Sequence, residues 1–157
     1  PAALGRAGLL VCIRKTPVEE ESLRVAALLR RLADRPVLRA HLRASGWQQG
    51  GTAVAAPPDP GVLVAGLADP ALFAANARAA GAAFGTELLF PDHHAYGPAD
   101  VRRIRAAAAG RAVITSAKDW VKLRETLDPA QTWVLTQTLV IEEGGSLLDA
   151  ALGRVLQ

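Results

Sequence analysis

Residues 61–90, GVLVAGLADPALFAANARAAGAAFGTELLF, contain a strand, a helix and a second strand in that order. Val62 to Ala65 is a short apolar run of the kind that forms a buried strand. Asp69 and Pro70 open a helical pattern that ends near Ala80, and Gly81 stops it, because Asp caps a helix start and Gly suits the turn after its end. Thr86 to Phe90 is the second apolar run. The stretch therefore predicts a βαβ unit with two parallel strands.

The same alternation of apolar runs and helical patterns continues on both sides of this unit. Before it, residues 8–13 predict a buried strand, Val18 to Ala33 a helix with an acidic first turn, and Val37 to Ser45 a half-exposed, antiparallel edge strand. After it, the predicted elements are a helix over Pro98 to Ala109, a strand over Ala112 to Thr115, a helix over Lys118 to Thr126, a strand over Trp133 to Ile141 and a helix over Ser146 to Leu156. This order predicts an α/β fold, a three-layer α/β/α sandwich with a mostly parallel sheet.

The composition fits one domain and argues against several classes of protein. With 157 residues, 50% of them hydrophobic and 21% charged, the chain can bury a single core, so we predict one α/β domain over residues 1–157. The Pro- and Gly-rich segment 46–60 predicts a hinge or linker. The net charge of +3 is a small excess, which argues against a nucleic-acid partner.

The sequence lacks the residues that several kinds of site require. Cys12 is the single cysteine, which excludes an intrachain disulfide and a cysteine metal cluster, and we predict no metal site within this chain. No apolar run reaches the roughly 20 residues that span a bilayer, so we expect a soluble chain that can still touch a membrane surface. The phosphate-loop pattern Gly-x-x-x-x-Gly-Lys-Ser/Thr and the dinucleotide pattern Gly-x-Gly-x-x-Gly are both absent.

Candidate functional residues gather in loops that follow predicted strands, where open α/β sheets place their sites. In the first loop Gly66 permits a sharp turn and Asp69 can cap the next helix, which equally describes a helix start with no ligand. The second loop is the most densely titratable segment, with Asp92, His93 and His94 in a row. A histidine there can take a proton, touch a phosphate or approach a metal, whereas the same side chains can also simply satisfy a turn.

The third loop runs from the strand end at Thr115 into a helix that carries Lys118 and Lys122 on one face. Free N–H groups at a helix start, together with two lysines, would suit an anion. The other interpretation is a polar helix start, in which Asp119 lies favourably near the positive end of the helix dipole.

Taken in order, these three loops resemble the carboxyl-terminal half of the tetraacyldisaccharide 4'-kinase family. The resemblance covers about residues 58–125 well and rests on residues 64–70 with Phe73 and Gly81, residues 90–94 with Tyr96 and Asp100, and residues 114–122. It implies a P-loop-type kinase built from two α/β/α lobes, which uses ATP and Mg²⁺ at the cytoplasmic face of the inner membrane. The implied reaction is phosphorylation of the 4'-position of the lipid A precursor tetraacyldisaccharide 1-phosphate.

The resemblance also implies which parts of that kinase this chain would hold. The family's phosphate loop, base and metal-binding motif lie in its amino-terminal lobe, so this chain would be the carboxyl-terminal lobe, related to P-loop kinases but without the P-loop and incomplete alone. Its implied partners are the amino-terminal lobe, the lipid A disaccharide precursor and the inner-membrane surface.

The resemblance assigns a role to one histidine of the second loop. The family's cleft-facing histidine falls on His93, with Asp92 and His94 as its neighbours. The loops themselves, rather than the resemblance, make Gly66, Lys118 and Asp119 the candidates for substrate or phosphate binding. One position departs from the family, which usually has Glu where this chain has Ala117, so the role of that glutamate is not carried over.

Two other hypotheses remain open from the sequence. The chain can be a non-catalytic α/β module, derived from the kinase lobe, that binds an anion or a partner. It can also be a small independent enzyme that uses Asp92 and His93, although the chain offers neither a nucleophile nor a phosphate loop.

Overall fold

A computed structural model describes residues 6–15, 19–58 and 60–155, so the helix ends predicted at Val18 and Leu156 lie outside the described residues. Strands and helices alternate: β1 (Leu10–Arg14), α1 (Glu19–Leu32), β2 (Val37–Gln49), β3 (Thr52–Val54), β4 (Gly61–Ala65), α2 (Pro70–Ala79), β5 (Phe84–Leu89), α3 (Pro98–Ala108), β6 (Val113–Ser116), α4 (Ala117–Leu123), β7 (Thr132–Glu143) and α5 (Gly145–Val155). The chain forms two compact units, residues 44–137 and residues 1–43 with 138–157. The strands β2 and β7 each contribute residues to both units. The predicted single domain over residues 1–157 stays a prediction.

The larger unit, residues 44–137, contains a mostly parallel sheet. Its strand order is β2-β7-β6-β4-β5, with β3 paired to β2. β4 lies parallel to both β5 and β6, and β6 lies parallel to β7, whereas β2 and β3 form an antiparallel hairpin. The predicted α/β class and the mostly parallel sheet are therefore confirmed.

Helices cover both faces of this sheet. On β4, Val62 and Val64 pack with Ile104 of α3 and the buried residues around α4. The alternate residues Leu63 and Ala65 belong to the opposite core, which includes Phe73 and Ala77 of α2. Successive side chains of a strand point to opposite faces, so one fully buried strand separates two cores. The larger unit is thus the predicted three-layer α/β/α sandwich.

Local signals in the sequence set the helix ends. The Asp69 side chain accepts a hydrogen bond of 2.9 Å from the Leu72 amide and caps α2, whose first residue is Pro70. At the carboxyl end of α3, Ala109 adopts a left-handed conformation with φ of +47° and ends the helix. Across the described ranges, no helix is long and apolar enough to cross a bilayer.

The segment 46–60 contains more regular structure than its composition predicts. It forms the end of β2, a tight turn at Gly50 and Gly51 with φ of +54° and +87°, and the short strand β3. Two consecutive glycines suit this turn because both positions require positive φ. A hinge function for the segment stays a prediction.

The smaller unit, residues 1–43 with 138–157, is built around β1 and β2. Helix α1 buries Ala26 against Leu10 and Val37. The prediction that residues 37–45 form an antiparallel edge strand is wrong, because β2 pairs in parallel with β1 and has β7 as its other neighbour. The basic residue Arg39 suggested an exposed strand, yet it is only 6% exposed and lies among carboxylates of α1 and β7.

Candidate functional site

The three candidate loops meet in the larger unit, at the carboxyl ends of β4, β5 and β6. The Gly66 amide, which follows β4, donates a 3.1 Å hydrogen bond to Oδ2 of Asp119 in α4. Lys118 Nζ donates a 2.6 Å hydrogen bond to Oδ1 of Asp92, in the loop after β5. Because parallel strands end at the same edge of their sheet, segments that are up to about 50 residues apart in sequence become neighbours.

Asp119 is the buried centre of this junction. It is fully buried, and its Oδ2 atom accepts a 2.8 Å hydrogen bond from the Ser116 hydroxyl as well as the bond from Gly66. Ser116 caps α4 in return, since its Oγ accepts the Asp119 amide proton at 3.1 Å. The phosphate-binding role predicted for Asp119 stays a prediction. Its burial and its internal hydrogen bonds favour a structural role instead.

Gly66 and Tyr96 complete the buried centre. A Cβ at Gly66 would lie 2.9 Å from the Tyr96 hydroxyl and 3.1 Å from Asp119 Oδ1, so the approach of these groups requires a glycine. Both oxygens are buried, and neither has a hydrogen-bond partner among the residues that the structure describes. Burial, and then the charge of Asp119, raise the pKa of Tyr96 far above its ordinary value, so its hydroxyl stays protonated at neutral pH.

Asp92, His93 and Lys118 form the exposed part of the site. Asp92 Oδ1 accepts two hydrogen bonds, one from the Lys118 ammonium group and one of 2.9 Å from the His93 amide. Its other oxygen lies 3.6 Å from His93 Nε2. The hydrogen bond from Lys118, followed by the bond from the His93 amide, holds the pKa of Asp92 below its ordinary value of 3.8. The carboxylate is therefore ionised at neutral pH.

His93 is held in a strained backbone conformation. Its φ is +60°, a left-handed value that is uncommon for a residue with a side chain. Its side chain is 81% exposed, so a molecule that arrives from solvent can contact the ring directly. Residues held in such conformations cluster at ligand-binding and catalytic sites.

His94, the next residue, has the opposite environment. Its Nε2 lies 2.9 Å from Asp100 Oδ2, and its ring stacks on Phe90 with centroids 4.7 Å apart. Lys122 Nζ donates a 2.9 Å hydrogen bond to the His94 carbonyl. The hydrogen bond from the Gly97 amide, and then that from His94, lower the pKa of Asp100. The two histidines are adjacent in sequence but have different environments. The His93 ring is accessible from solvent, whereas the His94 ring packs inside the loop and stabilises it.

The exposed part of the site offers an ammonium group and an imidazole ring. Over the described ranges no group of three or more His, Cys, Asp or Glu side chains is arranged to hold a metal ion. Tyr96 and Ser116, which complete the buried centre, were not among the predicted site residues. The spacing of Ser116 and Asp119, a cap residue and an acidic residue three positions later, is a signal that could have identified the capped start of α4.

Comparisons with known proteins agree with this architecture. The model of the family described as tetraacyldisaccharide-1-P 4'-kinase matches residues 1–156. A tetraacyldisaccharide 4'-kinase from Gluconacetobacter diazotrophicus is 42% identical over 90 residues, which are 56% of this chain and 26% of that protein. The corresponding kinase from Hyphomonas neptunium is 31% identical over 159 residues, which cover 100% of this chain and 42% of that protein.

A solved structure shows the same fold. The LpxK protein from Aquifex aeolicus, crystallised in complex with ATP, superposes with a TM-score of 0.56 at 16% identity. The superposition covers 95% of this chain and 52% of that chain. This chain therefore spans about half of the solved protein and less than half of the two curated relatives.

Proposed function

This chain belongs to the tetraacyldisaccharide-1-P 4'-kinase family, and we propose that it is the carboxyl-terminal lobe of an ATP-dependent kinase. The proposed substrate is the lipid A precursor tetraacyldisaccharide 1-phosphate, which is phosphorylated at its 4'-position. The amino-terminal lobe is the proposed partner that holds most of the ATP and Mg²⁺ site. The proposed location is the cytoplasmic face of the inner membrane, where the lipid substrate meets the enzyme.

One observation supports this proposal most strongly. The three segments that carry the family resemblance are joined by direct contacts, from Gly66 to Asp119 and from Lys118 to Asp92. Together they hold His93 outward at one edge of the sheet, where ligands bind in open α/β folds.

Phosphoryl transfer depends on positioning and on stabilising the charge of the transferred group. When bound, ATP supplies that phosphoryl group. We propose that His93 donates a hydrogen bond to a phosphate oxygen, since its ring is exposed and Asp92 Oδ2 lies beside Nε2. Lys118 fixes Asp92 and adds positive charge within the same few ångströms. The described residues hold no cluster that fits a metal ion, so we propose no step in which this chain binds Mg²⁺.

The test compares this chain with the full-length gene product. Purified proteins are given ATP, Mg²⁺ and detergent-dispersed tetraacyldisaccharide 1-phosphate, and 4'-phosphate formation is followed by mass spectrometry. We expect turnover by the full-length protein and none by residues 1–157 alone. His93→Ala in the full-length protein should lower kcat on the order of a hundredfold, as loss of a donor to developing charge does elsewhere, with an unchanged melting temperature.

His41→Ala is the matched control. His41 lies in the smaller unit, 2.9 Å from Glu142 and 23% exposed, and it belongs to none of the three loops of the site. We therefore expect His41→Ala to leave kcat within about twofold, whatever it does to the melting temperature. Normal kcat in His93→Ala would remove His93 from the mechanism while leaving the kinase assignment intact.

The alternative is a non-catalytic module that binds an anion or a partner. Its supporting observation is Ala117, the exposed first residue of α4, at a position where the family usually has a glutamate. A folded full-length protein that transfers no phosphate, yet binds inorganic pyrophosphate in a His93-dependent way, would favour this alternative over the kinase.

A further inference from the structure

The exposed and buried parts of the site are connected through one residue. Asp119 receives hydrogen bonds from Gly66 and Ser116, and its remaining oxygen lies next to the Tyr96 hydroxyl at the glycine. Gly66 belongs to the loop after β4, Ser116 to the end of β6 and Tyr96 to the loop after β5. One fully buried carboxylate therefore touches all three loops of the site.

Two routes lead from Asp119 to His93. Along the chain, Lys118 immediately precedes Asp119, and its ammonium group holds Asp92, which in turn accepts the His93 amide proton. Through space, Tyr96 lies three residues after His93, and its ring packs edge-on against Phe90 and His94 at centroid distances of 5.1 Å. Both ends of the 92–96 loop are thus fixed with respect to the same carboxylate.

We propose that Asp119 is a positioning residue that sets the place and conformation in which His93 meets the transferring phosphoryl group. The proposal rests on the proposed kinase function and goes beyond it, because it assigns the geometry of the exposed histidine to a fully buried group. A buried carboxylate with two hydrogen-bond donors is well suited to this task, since low dielectric strengthens each bond and discourages alternative arrangements. The strained φ of +60° at His93 requires such external support.

The kinetic test is a double-mutant cycle in the full-length gene product. If Asp119 acts through His93, then Asp119→Ala lowers kcat on the order of tenfold on its own and adds less than about twofold in the His93→Ala background. KM for ATP should change less than kcat. Thr115→Val is the matched control. It removes one buried hydrogen bond, from the Thr115 hydroxyl to the Val64 carbonyl, at the position of β6 that precedes Ser116. Its effect on kcat should be the same with and without His93.

A second measurement is independent of activity. In the ¹⁵N-labelled chain of residues 1–157, Asp119→Ala should shift the amide signals of Asp92 and His93, whereas Thr115→Val should leave them in place. Where Asp119→Ala yields no folded protein, Asp119→Asn is used in both experiments, with smaller shifts and losses in the same direction.

The outcomes separate this inference from the proposed function. Losses in kcat that multiply in the double mutant, together with unmoved Asp92 and His93 amides, would overturn the positioning role and leave the kinase standing. A full-length protein without kinase activity would overturn the proposed function and, with it, the catalytic purpose of the positioning. Shifted Asp92 and His93 amides, together with losses in kcat that do not multiply in the double mutant, would establish the positioning role of Asp119.

Discussion

Nζ of Lys118 lies 2.6 Å from Oδ1 of Asp92, in a pair that joins the start of α4 to the loop after β5. The two residues are 26 positions apart in sequence, and both side chains are partly exposed, at 41% and 33%. An exposed ion pair contributes little to stability, because water and salt screen it. Its consequence is local: it lowers the pKa of Asp92 and fixes the carboxylate beside His93.

Lys118→Met should raise the pKa of Asp92 toward its ordinary value of 3.8, because the lysine is the main cause of its depression. A carboxylate with a depressed folded pKa adds stability that is fully present above 3.8 and is lost as the pH falls through the folded pKa. The measurement is a carbon-13 titration of the Asp92 carboxyl between pH 2 and 6, a range chosen about its ordinary pKa. Lys122→Met, which removes a bond to a carbonyl instead, should leave the Asp92 curve unchanged.

Gly66→Ala should lower the free energy of unfolding by about 1–3 kcal/mol, as overpacking of a filled space does. The added methyl group would meet the Tyr96 hydroxyl at 2.9 Å and Asp119 Oδ1 at 3.1 Å. Urea unfolding measures the loss. Gly85→Ala is the control, because nothing lies within 4 Å of the methyl group that it adds to this strand. Its free energy of unfolding should be unchanged or slightly higher. Equal stability in both variants would show that the centre at Gly66 can expand freely.

His93→Gly should raise the free energy of unfolding by about 0.5–1 kcal/mol, since glycine adopts positive φ without the usual penalty but loses more chain entropy on folding. Ala109→Gly should give a similar gain, because Ala109 has φ of +47° at the end of α3. Thermal unfolding measures both. In the full-length protein only His93→Gly should also reduce kcat. A loss of stability in His93→Gly would mean that the ring, rather than the backbone, stabilises this loop.

Local patterns in the sequence were sufficient to predict much of the fold and the loops that meet at one edge of the sheet. The functional roles of the residues in those loops stay predictions. The βαβ unit at 61–90 was readable because its strand is fully buried and its helix carries a capping Asp69. The meeting of the three loops followed from one rule, that parallel strands share a carboxyl edge. The different surroundings of His93 and His94 were not readable, because they depend on φ at one residue and on the distant groups that reach the other.

The smaller unit shows why other features were missed. The alternation of apolar and basic residues in β2 predicted an exposed edge strand, but Arg39 is buried by three carboxylates from α1 and β7. Ion pairs formed across about 20 and 100 residues leave no local pattern. The strand β3 was missed for another reason, since three residues between glycines and prolines are too few to show a period.

Arg39→Met should lower the free energy of unfolding by about 2–3 kcal/mol. Arg39 is 6% exposed and lies 3.0 Å from Glu19, 3.1 Å from Glu142 and 3.5 Å from Glu143. Its removal leaves carboxylates that repel one another; the loss stays below the 3–5 kcal/mol of a fully buried broken pair, because Glu19 and Glu143 can reach water. Urea unfolding at neutral pH measures the change.

The matched control for Arg39 is Arg24→Met in α1. Arg24 pairs with Glu20 one helical turn away, with both side chains more than 70% exposed, so its loss should cost no more than about 0.5 kcal/mol. The deficit of Arg39→Met should also shrink as the pH falls through the depressed pKa of Glu142, because a protonated carboxyl no longer needs the guanidinium. A deficit that is small at neutral pH, or that stays constant into acid, would show that methionine packing replaces the ion pairs and that charge does not hold α1 to β2 and β7.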